Sequence, residues 1–209
     1  MRFAMQSLSL QSKTSQLRDD LKTRGRSRPL FFMLTIDRLR NTHQGETAVI
    51  CGGGVSLPSD LRKIKVCDRI IGVNQHSLIL PLDYLCFLDR HMWPLVKDFR
   101  DIKLVTKLNK YNVGHVIHAN IAPPIGYSGA FAIWVADHFG FDRIDVCGMD
   151  QYEDRKDERE YWWQGPQCGP GNKHKLCNSD LGLLKKFIDE LQHPERVFFA
   201  SGRLKEIHQ

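Results

Sequence analysis

The chain has 209 residues, of which 42% are hydrophobic and 26% charged, with a formal net charge of +6. That suffices to bury one substantial core; no apolar run nears the roughly 20 residues that span a bilayer, and residues 1–30 lack the continuous apolar stretch of a secretory signal. A transmembrane protein is not expected and a cytoplasmic one is, while the basic excess at Lys13, Arg18, Lys22, Arg24, Arg26, Arg28 and again around Arg62 to Lys65 fits an anionic partner: a nucleotide, an anionic sugar, nucleic acid or a membrane surface.

Residues 1–28 are polar and basic and read as a flexible arm, followed by a single α/β domain over 29–209. Leu30 to Leu39 is expected to pack onto that domain. Its core begins at Thr47, where a buried-strand sequence runs straight into glycines, and a helix is predicted over Pro58 to Ile64 with Ser56 as N-cap and Pro58 in the first turn. Residues 69–75, 83–89 and 103–108 are short and apolar enough for interior strands. The segment Tyr111 to Tyr127 holds Pro123, Pro124 and Gly126 and is predicted as an irregular loop.

From Ser128 onward, Ala130, Ala132, Ile133, Ala136 and Phe139 recur at helical spacing, Gly140 is placed to stop the helix, and Ile144 to Cys147 forms a strand that delivers Asp150 at its carboxyl end. Beyond Asp150 the chain turns charged, aromatic and Gly/Pro-containing, the pattern of a lid over about 153–178. A helix at Asp180 to Leu191 and a strand at Val197 to Ala200 complete the α/β grammar. The predicted fold is α/β and Rossmann-like: a mostly parallel sheet, helices on both faces, and a lid insertion after the strand ending at Asp150. Cys51, Cys67, Cys86 and Cys147 lie in or beside strand-like runs and read as small hydrophobes of a reducing compartment.

In such a sheet ligands bind outside the carboxyl ends of the strands, which directs attention to four places. Gly52, Gly53 and Gly54 with Ser56 follow the first core strand, where backbone without side chains admits a phosphate and a helix N-terminus favours it; a plain tight turn is the alternative. The run is neither GxGxxG nor a P-loop, since the Lys-Ser/Thr of the latter is missing. Asn74 and Gln75 follow the second strand and carry both donors and acceptors for a ribose or base edge, and Asp89 follows the third, where it suits a metal, a sugar hydroxyl or a surface turn. The lid holds Tyr161, Trp162, Trp163, Cys168, His174 and Cys177: aromatics that close over a planar or sugar ligand, and a histidine fit to be a general base. Cys168, His174 and Cys177 fall one ligand short of a structural zinc site, so no metal is predicted.

Taken in order, these segments over about Thr47 to Ala200 resemble the bacterial sialyltransferases of glycosyltransferase family 42 and a wider group of Rossmann-like domains that includes archaeal 6-hydroxymethylpterin diphosphokinases. Gly52 to Leu57 looks like the family's Gly-Asn-Gly-Pro-Ser-Leu turn, with Gly53 in place of the Asn. Val73-Asn74-Gln75 is similar to its Cys-Asn-Gln, Ser128-Gly129 to its Ser-Gly helix opening, and Gly148-Met149-Asp150-Gln151-Tyr152 to its Gly-Ile-Asp-Phe-Tyr. The resemblance implies a metal-independent, inverting transfer from a CMP-linked sugar to an unknown acceptor, with no cofactor required. Gly52, Gly53, Gly54, Ser56, Asn74, Gln75, Ser128, Gly129 and Asp150 would then hold the nucleotide, Tyr152 and Tyr161 would stabilise the leaving phosphate, and His174 would activate the acceptor. It also implies a homo-oligomer. The diphosphokinase likeness implies instead ATP and Mg²⁺ held by carboxylates such as Asp89 and Asp150. A third reading is a non-catalytic protein, of the kind a phage encodes, that keeps the fold and binds nucleic acid through its basic arm.

Overall fold

The structure, a computed structural model, describes residues 34–108, 110–111, 114–149 and 178–208. The basic arm, Asp150, Tyr152 and the lid residues Tyr161, Trp162, Trp163, Cys168, His174 and Cys177 lie outside the described residues.

Among the described residues eight strands form one sheet: β1 (Leu34–Thr35), β2 (Thr47–Cys51), β3 (Arg69–Val73), β4 (Tyr84–Phe87), β5 (Lys103–Thr106), β6 (Val116–His118), β7 (Arg143–Cys147) and β8 (Val197–Phe199). Their order is β1-β6-β5-β4-β3-β2-β7-β8, and every pairing is parallel. The helices are α1 (Leu57–Leu61), α2 (Trp93–Val96), α3 (Ser128–Phe139), α4 (Asn178–Asp189) and α5 (Arg203–His208).

Strands buried on both sides read as continuous apolar runs, and alternation divides their side chains between two layers. Ala48, Ile50, Ile71, Val73, Ile144 and Val146 point into a core closed by α3, α4 and α5, where Phe131, Phe139, Leu184, Ile188 and Leu204 are buried. Val49, Cys51, Leu85, Phe87 and Cys147 point the other way, beneath α1 and α2, where Leu57 and Val96 close the second layer. A slip of one residue in β2 would exchange the two sets, so the register is strongly specified. At the amino edge of the sheet, His43 bridges Glu46 and the Tyr84 hydroxyl, each at 2.8 Å, and Arg69 reaches both Glu46 and Asp83. This polar clamp lies at the end of the sheet opposite the glycine turn.

Two expectations need correcting. Val116–His118, inside the segment predicted as loop, is strand β6, paired with β5 on one side and β1 on the other; three residues flanked by polar and Pro-rich sequence carry too little periodicity to show it. The helix predicted over Pro58 to Ile64 occupies Leu57–Leu61, and Ser56 does not cap it through its side chain. Ser56 already has right-handed helical backbone (φ −73°, ψ −15°), whereas a capping side chain needs extended geometry, so its hydroxyl donates to Asp60 Oδ2 at 2.8 Å instead. The strand expected over Ile144 to Cys147 is β7, Arg143–Cys147.

Candidate nucleotide site

The chain leaves β2 for β3, β4, β5 and β6 on one side, then returns through α3 to β7 on the other side of β2. The sheet's topological switch point is therefore the β2/β7 pair, whose connections depart to opposite faces: β2 runs into α1 in one layer, while the chain after β7 reaches α4 in the other. Such divergence opens a crevice at the carboxyl edge.

The glycine turn after β2 folds onto the end of β7. Gly52 N–H donates to the Cys147 carbonyl at 2.9 Å and Gly54 N–H to the Gly148 carbonyl at 2.7 Å. A Cβ on Gly52 would collide with the Gly148 carbonyl oxygen, and one on Gly148 would sit 2.8 Å from Leu57 Cβ at a left-handed φ of +65°, so these two positions demand glycine. Gly52 and Gly54 are bonded internally, and among the described residues the amides of Gly53 and Val55 have no acceptor, which leaves them for a ligand.

Helix α3 lends its N-terminus to the same place. It runs from the carboxyl edge back toward β7, and Gly129 packs on Met149, a Cβ there coming 2.9 Å from the Met149 sulfur. Met149 Cγ would in turn lie 3.0 Å from a Cβ on Gly52, so Met149 joins the two glycine positions. Ser128, Gly129 and Ala130 begin this 12-residue helix, whose first amides have no intrahelical acceptor and carry a partial positive charge.

One strand away, Asn74 leaves β3 two residues beyond Gly72, the partner of Cys51, as Gly53 leaves β2 two residues beyond Cys51. Asn74 adopts φ +54°, and its side-chain Oδ1 is buried and finds no hydrogen-bond partner among the described residues. Gln75 follows in the 3-10 turn Asn74–Ser77 and is half-buried.

Beneath the turn stands a residue that sequence reasoning passed over. Asp60, fully buried, takes up Ser56 Oγ (2.8 Å), Ser201 Oγ (2.6 Å) and the Gly148 amide (3.2 Å) on Oδ2, and Lys63 (2.9 Å) on Oδ1. Burial alone would raise its pKa, but the hydrogen bonds from Ser201, Lys63, Ser56 and Gly148 outweigh it and hold the carboxyl below its ordinary value. The spacing of Ser56 and Asp60, one helical turn apart, was a readable signal; Ser201, 141 residues away from Asp60, gave none. Cys51, at the end of β2, is pushed up to about 12 and Cys147, at the end of β7, higher still, chiefly by burial, so neither is a nucleophile for the crevice.

The structure thus brings together Gly52, Gly53, Gly54, Ser56, Ser128 and Gly129, with Asn74 and Gln75 alongside. Asp150, Tyr152, Tyr161 and His174 lie outside the described residues. Asp89 is exposed at the end of β4, two strands from β2. Among the described residues no group of three or more His, Cys, Asp or Glu side chains is arranged to hold a metal ion, and no helix is long and apolar enough to cross a membrane.

No protein-family model matches the chain, and no curated protein matches it in sequence. Among solved structures it is similar to the sialyltransferase CstII from Campylobacter jejuni, solved in complex with the substrate analogue CMP-3FNeuAc, with a TM-score of 0.50 at 14% identity over 74% of this chain and 81% of that one. The likeness is one of fold.

Proposed function

We propose that this chain is a glycosyltransferase-like enzyme that binds a CMP-type sugar donor in the switch-point crevice and transfers the sugar by direct displacement, without a metal. The observation that supports it is the convergence, at the β2/β7 switch point, of side-chain-free backbone with the N-terminus of α3, in a fold similar to a protein solved with a CMP-sugar analogue. Gly53, Val55 and the first turn of α3 would take the phosphate of the leaving nucleotide, an anion suited to unsatisfied amides and a helix dipole. Asn74 Oδ1, buried and without a donor, would accept a hydrogen bond from the nucleoside, since a buried acceptor gains most from a partner that a ligand supplies. Tyr152 and Tyr161 would stabilise the charge developing on the phosphate, Asp150 and Gln75 would complete the nucleotide pocket, and His174 would remove the acceptor's hydroxyl proton.

The test is thermal unfolding against CMP, UMP, AMP, GMP and ATP, each with and without Mg²⁺, because a ligand selective for the folded state stabilises it by mass action. CMP is expected to raise Tm with or without Mg²⁺. Stabilisation by ATP only with Mg²⁺ would favour a diphosphokinase, and no response to any nucleotide would leave nucleic-acid binding through residues 1–28 as the reading to pursue.

A further inference from the structure

The carboxylate of Asp60 meets three segments distant in sequence. Ser56 belongs to the turn after β2, Gly148 follows β7, and Ser201 lies just past β8; all three donate to the single oxygen Oδ2, with Ser201 Oγ also 3.0 Å from Ser56 Oγ. The other oxygen holds Lys63, which also donates to the Ala200 carbonyl at 3.3 Å. The Gly148 group that donates its amide to Asp60 accepts Gly54 N–H at 2.7 Å through its carbonyl. A continuous chain of hydrogen bonds therefore runs from the segment after β8, through Asp60 and Gly148, to the glycine turn. A fully buried acid holding four donors is an anchor, not a binding group: it cannot reach a ligand, and its removal leaves the buried Gly148 amide without its acceptor.

We propose that Asp60 is the positioning residue of the crevice, fixing through Ser56, Gly148 and Ser201 the turn whose amides receive the nucleotide phosphate; the nucleotide part of this rests on the function proposed above. The site would then be assembled from the ends of three strands, with the segment after β8 contributing although it supplies no group to the ligand. Asp60→Asn keeps the shape but removes the charge, so the bonds from Ser56, Ser201 and Gly148 lose their charge assistance even with the remaining oxygen turned toward them, and the amide nitrogen, itself a donor, cannot hold Lys63. The Gly54–Gly148 register then relaxes.

The experiment compares Asp60→Asn with the native chain by CMP titration calorimetry and by amide hydrogen exchange of the free proteins. The expected result is CMP affinity weakened roughly tenfold, the effect of weakening the buried, charge-assisted hold on the Gly148 amide. Exchange at Gly148 and Gly54 should accelerate while the β3 and β4 amides keep their protection, a pattern that general destabilisation would not give. Ser201→Ala removes one donor and keeps the acid, so it should produce the same local pattern at smaller size and serves if Asp60→Asn does not fold. Native affinity in both variants, or exchange that rises equally in β3 and β4, would overturn the proposal. If the native chain does not bind CMP, the nucleotide reading fails by itself, and the Gly148 exchange rate still decides whether Asp60 fastens the turn: unchanged exchange would refute it.

Discussion

Substituting Gly52 with Ala tests the close approach on which the crevice depends. A Cβ at this position would run into the Gly148 carbonyl oxygen and come within 3.0 Å of both the Gly148 carbonyl carbon and Met149 Cγ. Met149 has a flexible side chain and can turn aside. The carbonyl cannot, because it accepts Gly54 N–H at 2.7 Å while its own residue's amide is held by Asp60 at 3.2 Å. Accommodation therefore combines overpacking, about 1–3 kcal/mol, with loss or distortion of the Gly54–Gly148 bond, about 1 kcal/mol, for a total of about 2–4 kcal/mol. Urea unfolding reads this as a lower midpoint at unchanged m. Gly126→Ala is the control: a Cβ there would find nothing within 4 Å, so its stability should stay within about 0.5 kcal/mol of native. Equal midpoints for Gly52→Ala and Gly126→Ala would show that the turn does not press on β7 as described.

Gly182, exposed on α4 with open space around it, should behave in the opposite sense: Gly182→Ala is expected to add about 0.5–1 kcal/mol of stability through helix propensity, seen as a higher urea midpoint. Asp137 is buried on α3 and accepts the amides of Gln192 (2.9 Å) and His193 (3.0 Å), so Asp137→Ala should cost about 2–4 kcal/mol and speed exchange at those two amides first. Asp60, Glu46 and Asp68 all have pKa values held below the ordinary ones: for Asp60 and Glu46 hydrogen bonds and cationic partners outweigh burial, and for Asp68 the Thr47 backbone and hydroxyl donate directly. Groups depressed in the folded state contribute fully above the unfolded carboxylate pKa, about 4, and lose that contribution as pH falls through the folded value. The urea midpoint should accordingly fall as pH drops from about 5 to about 3, less steeply in Asp60→Asn than in the native chain. Of the four described cysteines only Cys67 is exposed, so brief alkylation of the native protein should label Cys67 and spare Cys51, Cys86 and Cys147 by peptide mass mapping.

The core strands were legible because their apolar runs are bounded by turn residues: Thr47–Cys51 ends at a glycine run, and Arg143–Cys147 is preceded by the helix-stopping Gly140, which adopts φ +79° as a left-handed C-cap must. Parallel strands buried on both faces need only such runs. What escaped was short or set by distant partners. β6 has three residues, and β1 is a strand only because it pairs with β6. The helix Arg203–His208 follows the last predicted strand and gave no periodic signal in six residues. At the site, the glycines announced close backbone approach but not which amides would be occupied, because Gly52 and Gly54 find their acceptors on β7 and just beyond it, about 95 residues later, a pairing that only the strand order reveals. Ser56 looked like a cap by residue type and spacing, and its backbone conformation decided otherwise.

Whether the switch-point crevice receives the nucleotide is decided by backbone amide NMR of the isotope-labelled chain titrated with CMP in the absence of divalent metal. Shift changes are expected to concentrate at Gly53, Val55, Asn74 and Ser128 to Ala130, with the β4, β5 and β6 ends unaffected. Saturable shifts centred on Asp89 or elsewhere on the carboxyl edge, or no saturable shifts at all, would contradict it.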